Sequence, residues 1–219
     1  MTLIAVYSCN DGKNNQLKNN SEIENSNSII DSNFDSIIKR TNHSQLNLEK
    51  HQIFIDTTGY SSLNKDLQNW APTKINEIES NIGDFQLTIL DPDIPKRWIT
   101  IRKYNNEFFN YDRCDGDDPR IEIIGNALII NGIHEKSFYK INEIKKENSG
   151  WILISNSHLT LEFKIEKTQE KNIFIFQFNG LNRQNSYVTQ FENLKDFDQF
   201  VNHCPTGKVD EFSKFQNPE

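Results

Sequence analysis

This chain is poor in the residues that usually announce a chemistry. Its 219 residues hold only three Cys, one Met, nine Gly and six Pro. No Cys-x-x-Cys occurs, so zinc ribbons and thioredoxin-like redox motifs are excluded. No Gly-x-x-x-x-Gly-Lys phosphate loop, no Gly-x-Ser-x-Gly elbow and no His-Glu-x-x-His pair is present, which removes the commonest signatures of nucleotide binding, serine hydrolysis and zinc proteolysis. Basic residues are also in deficit: 24 Lys and Arg against 31 Asp and Glu leave a net charge of −7, which argues against nucleic acid as a partner. No run approaches the roughly 20 apolar residues of a membrane-spanning helix.

What is present divides the chain. Residues 9–50 are rich in Asn, Ser and short charged side chains, as in Asn19-Asn20-Ser21 and Asn25-Ser26-Asn27-Ser28. Such a segment buries too little apolar surface to offset its ordering entropy and reads as a disordered tether, about 40 residues long with a span on the order of 35 Å. From His51 the pattern changes, and residues 51–205 are expected to form one β-rich globular domain of about 155 residues, followed by a loose tail at 206–219.

Within the domain, Ile53-Phe54-Ile55 predicts a short strand. Leu63, Leu67 and Trp70, then Ile75, Ile78 and Ile82, fall at helical spacing around Pro72 and predict two short helices, the second ended by Gly83. Phe85–Leu90 is expected to be a strand. Trp98–Tyr104 and Glu107–Tyr111 flank Asn105-Asn106, and Arg120–Ile124 and Ala127–Ile130 flank Gly125-Asn126, both signals for tight hairpins. Further strands are predicted at Ser137–Ile144, Trp151–Ile154, Leu159–Ile165, Ile173–Phe178 and Tyr187–Phe191. Leu159, Leu161, Phe163 and Ile165 alternate with polar residues, the pattern of a strand with one wet face. Consecutive strands joined by short turns give a mainly β fold, an antiparallel meander that is barrel-like or strongly curved, with short flanking helices. Leu194, Phe197, Phe200 and Val201 predict a C-terminal helix, with His203 at its end, while His134 falls in a turn and His158 at a strand start.

At the N-terminus, Leu3–Ser8 forms a short apolar run ending in a small residue, followed by Cys9. Val6-Tyr7-Ser8-Cys9 resembles the lipobox of bacterial lipoproteins, in which a branched aliphatic residue stands three before a Cys that is lipidated and becomes the mature N-terminus. The resemblance covers about nine residues. It implies that residues 1–8 are a truncated signal-peptide remnant, with further basic residues expected before Met1, and that Cys9 carries a lipid anchor. The implied address is the cell envelope of a Gram-negative bacterium, on the periplasmic side or the outer-membrane surface.

Lipidation of Cys9 would leave Cys114 and Cys204 as an even pair in an oxidising compartment, where a disulfide would close a loop of about 90 residues, worth roughly 4–5 kcal/mol on the chain-entropy model. Two unpaired thiols or a metal pair are the alternatives, and His203 beside Cys204 lacks zinc-site spacing.

Two sets of residues are candidates for function. Asp112, Asp115, Asp117 and Asp118 crowd one turn, but Cys114 and Gly116 occupy the wrong positions for a calcium EF-hand, so no metal is assigned and the turn reads as an exposed acidic contact surface. Tyr104, Phe109, Tyr111, Trp151, Phe163 and Phe176 would line a pocket if the sheet enclosed one. The first set suits a non-enzymatic protein-binding module of immunity or inhibitor type that meets a basic envelope protein or toxin. The second suits a lipocalin-like carrier of an apolar small molecule or lipid. Neither role requires a cofactor.

Overall fold

The computed structural model describes residues 38–41, 49–57, 70–88, 90–116, 118–156, 159–179, 184–205 and 211–218. Cys9, the polar tract to residue 37, Asp117, His158 and the helix expected near Leu63 and Leu67 lie outside these residues.

Among the described residues the fold is mainly β, one mixed sheet of 13 strands. Its backbone is a series of tight hairpins. Arg97–Tyr104 (β3) and Glu107–Asp112 (β4) pair around Asn105 and Asn106, whose φ values of +49° and +64° supply the left-handed turn that matches strand twist. Arg120–Ile124 (β5) and Ala127–Asn131 (β6) turn at Gly125, with φ +56°, where a Cβ would lie 2.0 Å from the Gln86 carbonyl oxygen. Lys136–Lys140 (β7) adds to β6. Glu143–Glu147 (β8), Gly150–Asn156 (β9), Thr160–Lys167 (β10), Phe174–Asn179 (β11) and Gln184–Gln190 (β12) then follow as an antiparallel meander. β12 returns to pair with β3, so β3 carries both β5 and β12.

β7 and β8 are not paired with each other. The expected single strand at Ser137–Ile144 is instead two, because the chain changes partners at Ile141-Asn142: Ile141 N–H donates to the Asn126 carbonyl (2.7 Å), and Asn142 N–H donates to that of Ile154 (2.8 Å). The sheet thus bends around its core without being closed into a barrel. Inside the curve lie Trp98, Ile121, Leu128, Leu153, Phe163, Ile165 and Val188, all buried. Phe163 stacks on Phe178 with centroids 5.0 Å apart and meets Tyr139 at 4.8 Å. Each such side chain contributes about 1.5–3 kcal/mol by burial alone.

Short elements cover the outer face. A helix, Ile75–Ile82 (α1), lays Ile78 on Ala127 and Ile129, and Gly83 terminates it. A 3-10 turn at Phe191–Asp196 packs Leu194 on Ile99 and Ile101.

Beyond β4 the sheet continues as a smaller wing. Gln199–His203 (β13) pairs parallel with β4 and antiparallel with Gln52–Asp56 (β2), and Arg40–Thr41 (β1) lies parallel to β2 at the edge. Its core is Ile55, Tyr104, Phe109, Tyr111 and Phe200, with Phe212 and Phe215 packed against it.

Four expectations change. Phe85–Leu90 forms no strand over its described residues, because it drapes across the β5–β6 turn. There the Asn126 N–H donates to the Gln86 carbonyl (3.0 Å), and the Gln86 N–H donates to Asn126 Oδ1 (2.8 Å). The C-terminal helix is the 3-10 turn followed by β13, since insertion between two strands outweighs the helical spacing of Phe197, Phe200 and Val201, and His203 therefore ends a strand. The described fold takes in residues before His51: Ile38 packs on the wing, and Arg40 pairs with Glu107 and with Asp198 (3.0 Å). The tail is docked over residues 211–218, through Phe212 and Phe215 and a Lys103–Gln216 bridge.

Candidate functional site

The loop between β4 and β5 lies where the wing meets the curved sheet. Cys114 and Cys204 stand at disulfide distance, with Sγ atoms 1.94 Å and Cα atoms 5.3 Å apart, which ties the loop to the end of β13. Asp118 is buried and accepts two parallel hydrogen bonds from Arg102, Nε at 2.6 Å and Nη2 at 2.7 Å, and a third from Arg113 Nη1 at 3.2 Å. Burial disfavours the Arg102 charge, but the hydrogen bond and charge of Asp118 outweigh it and hold the guanidinium above its usual range.

The carboxylate of Glu211 braces the same loop from the tail. Its Oε1 accepts from the Asp115 backbone N–H (2.9 Å), and Oε2 accepts from the Tyr111 hydroxyl (2.5 Å). The Cys114 backbone N–H also donates to it, and Arg113 Nε lies 3.6 Å from Oε1. Burial pushes the Glu211 carboxyl up, yet these donors and the Arg113 charge prevail, and it titrates below the usual glutamate range. Burial and the bond to Glu211 push the Tyr111 hydroxyl well above its ordinary value. Asn202 Nδ2 donates to the Tyr111 oxygen (3.1 Å), while Asn202 Oδ1 faces His51 Nε2 at 2.8 Å, so that ring nitrogen donates.

Next to the loop is a polar cleft of about 300 Å³, bordered by Gly116, Asp118, Trp70, Arg120, Ile133 and Lys136. Glu122 lies in its floor, 1% exposed, accepting from Thr73 N–H (2.9 Å), Thr73 Oγ1 (2.7 Å) and Asn131 Nδ2 (2.9 Å). Trp70 has the Arg97 and Arg120 guanidinium carbons 5.7 and 5.6 Å from its ring centroids.

The four acidic candidates do not form one exposed patch. Asp115 is exposed and Asp112 is half-buried at the end of β4. Asp118 must be removed from the contact surface, since two Arg side chains consume its oxygens inside the protein. Asp117 lies outside the described residues. The six aromatic candidates are all buried in cores: Trp151, Phe163 and Phe176 in the curved sheet, Tyr104, Phe109 and Tyr111 in the wing. None of them borders the polar cleft or a second cavity of about 710 Å³ near Lys103, Phe108 and Tyr187, so they provide no lining for an apolar ligand there.

Sequence reasoning overlooked Glu122, Thr73 and Glu211. A charge inside Ile121-Glu122-Ile123-Ile124 was the one available signal, because an outward-facing Glu in a strand becomes notable only when another segment covers it. Among the described residues, no three His, Cys, Asp or Glu side chains converge in a way that would hold a metal ion.

No protein family and no solved structure matches this chain. Part of it is similar to the DNA mismatch repair protein MutS of Prochlorococcus marinus strain NATL1A, with 29% identity over 83 residues, covering 38% of this chain and 9% of that protein. The MutS protein of strain NATL2A gives the same identity and coverage. The chain spans less than a tenth of the length of these relatives, and a likeness of that extent does not place it in their family.

Proposed function

We propose that this chain is a non-enzymatic, lipid-anchored binding module of the cell envelope, of immunity or inhibitor type, which presents the β4–β5 loop to a basic envelope protein or toxin. The lipid anchor at Cys9 rests on the lipobox resemblance. The binding role rests chiefly on one observation: an acidic loop with exposed Asp115 is fixed by the Cys114–Cys204 pair and the Arg102–Asp118 fork. A loop tied down at Cys114 and Asp118 loses less entropy when a partner docks, so modest surface charge is converted into useful affinity. The net charge of −7 favours encounter with a basic surface.

The test uses the basic protein captured from envelope extracts and measures association rates at low and high salt. Replacing Asp115 and Asp117 together by Asn should slow association and flatten its salt dependence, while the fold is unchanged. Asp118→Asn should instead destabilise the domain by about 3 kcal/mol, because it leaves two partly buried guanidinium groups underpaired. If the double substitution leaves the rate unchanged at both salt concentrations, the loop is not the contact surface.

A further inference from the structure

We infer that the groove formed by the β4–β5 loop and the aromatic face of the wing is a binding site for a peptide segment of the pattern Glu-aromatic-x-x-aromatic, and that Glu211–Phe215 of this chain occupies it as a displaceable internal ligand. The groove has two parts, and the tail fills them in sequence order.

The first part is a carboxylate pocket. The backbone N–H groups of Cys114 and Asp115 point to one side-chain carboxylate, joined by the Tyr111 hydroxyl and the Arg113 guanidinium. Successive backbone donors converging on an anion are a recurrent way of capturing a carboxylate, and charge-assisted bonds of this kind are directional. The second part is aromatic. Phe212 lies 5.3 Å from the ring of Tyr104 and 4.8 Å from Phe200, and Phe215 lies 4.7 Å from Tyr111 and 5.0 Å from Phe200. Side chains one and four positions after the carboxylate therefore complete the recognition pattern.

Two features let this segment, which braces the loop when seated, act as a ligand. Its backbone donates from Phe212 N–H to the Tyr111 hydroxyl (3.1 Å) and from Gln216 N–H to the Lys103 carbonyl (2.8 Å), while the Glu211 carboxylate and the two Phe rings supply the side-chain recognition. The groove itself is built by ladders that do not involve the tail: β13 is held by β2 and β4, and β4 by β3. The Cys114–Cys204 pair also fixes the point where the tail departs, so release would leave both the groove and the preceding chain in place. Six residues separate Cys204 from Glu211, so the attached segment acts at an effective concentration in the millimolar range, which keeps the site closed to weak competitors.

The experiment uses the full chain with a specific protease site inserted between Gly207 and Asp210, nicked with the disulfide intact. A fluorescent peptide comprising residues 210–219 is then added, and its uptake is followed by anisotropy alongside far-ultraviolet circular dichroism. The expected result is a nicked domain that keeps its β signal and takes up labelled peptide, with the Glu211→Gln peptide binding about tenfold more weakly and the Phe212→Ala, Phe215→Ala peptide not competing. The uncut chain should bind the peptide about 100-fold less well. The inference is overturned if the nicked domain unfolds, if it stays folded and never exchanges its tail for labelled peptide, or if all three peptides bind equally.

Discussion

The curved sheet and the wing solve the same problem with different means. The sheet is assembled from neighbours in sequence: β5 to β7 and β8 to β12 each pair in order, and the interior is filled by alternating apolar side chains. The wing brings together residues from Ile38 to Phe215, and it needs a cysteine pair, two parallel pairings and a network of charged hydrogen bonds. Local pairing closes short loops and needs little else, whereas long-range pairing must offset a larger loop-closure entropy and draws on covalent and ionic support.

The largest effect is expected at Phe163. Phe163→Ala should destabilise the whole domain by about 3–5 kcal/mol, measured by urea unfolding, because Phe163 is fully buried between Tyr139 and Phe178. Removing the cysteine pair, by reduction or by Cys114→Ser with Cys204→Ser, should cost about 2–4 kcal/mol, given its sequence separation of 90 residues. Hydrogen exchange should then show protection lost over residues 199–205 and 211–218 while β9 and β10 stay protected. Equal loss in both regions would mean that the wing and the sheet unfold as one.

A smaller effect tests the hairpins. Asn106→Ala should cost about 1 kcal/mol, since Asn106 holds φ at +64° and Ala tolerates that region less well. Smallest in global terms is the pH response of the wing. The Glu211 carboxyl is lowered in the folded state, so its contribution is complete above the unfolded glutamate value of about 4.3 and is lost as pH falls through the lower folded value. Tail residues should lose exchange protection in that acidic window before the curved sheet does, and Glu211→Gln should remove the transition. Tyr111 works at the other extreme: its raised hydroxyl favours folding below its ordinary value near 10 and withdraws that support as pH rises through the folded value.

The same division decides what could be read from residues alone. Asn105-Asn106, Gly125-Asn126 and the Leu161, Phe163, Ile165 alternation are local signals, and they located β3 to β6 and β10 closely. The pairing of Cys114 with Cys204 was legible only as an arithmetical possibility. β13 was misread because it is buried on both faces between two partners, and a window of five residues contains no sign of that. Asp118 looked like surface charge because nothing within its turn shows that Arg102, sixteen positions earlier, folds back onto it. Glu211 was passed over for a related reason: its partners are 96 and 100 positions away.

At one end of the sheet, β8 pairs, among the described residues, only with β9, and four of its five residues are charged: Glu143, Lys145, Lys146 and Glu147. A strand from a neighbouring molecule would have to strip water from both signs of charge before gaining a single backbone bond. Copies of this domain that meet along this margin gain little from doing so, and β8 by itself is a poor template for a growing fibril.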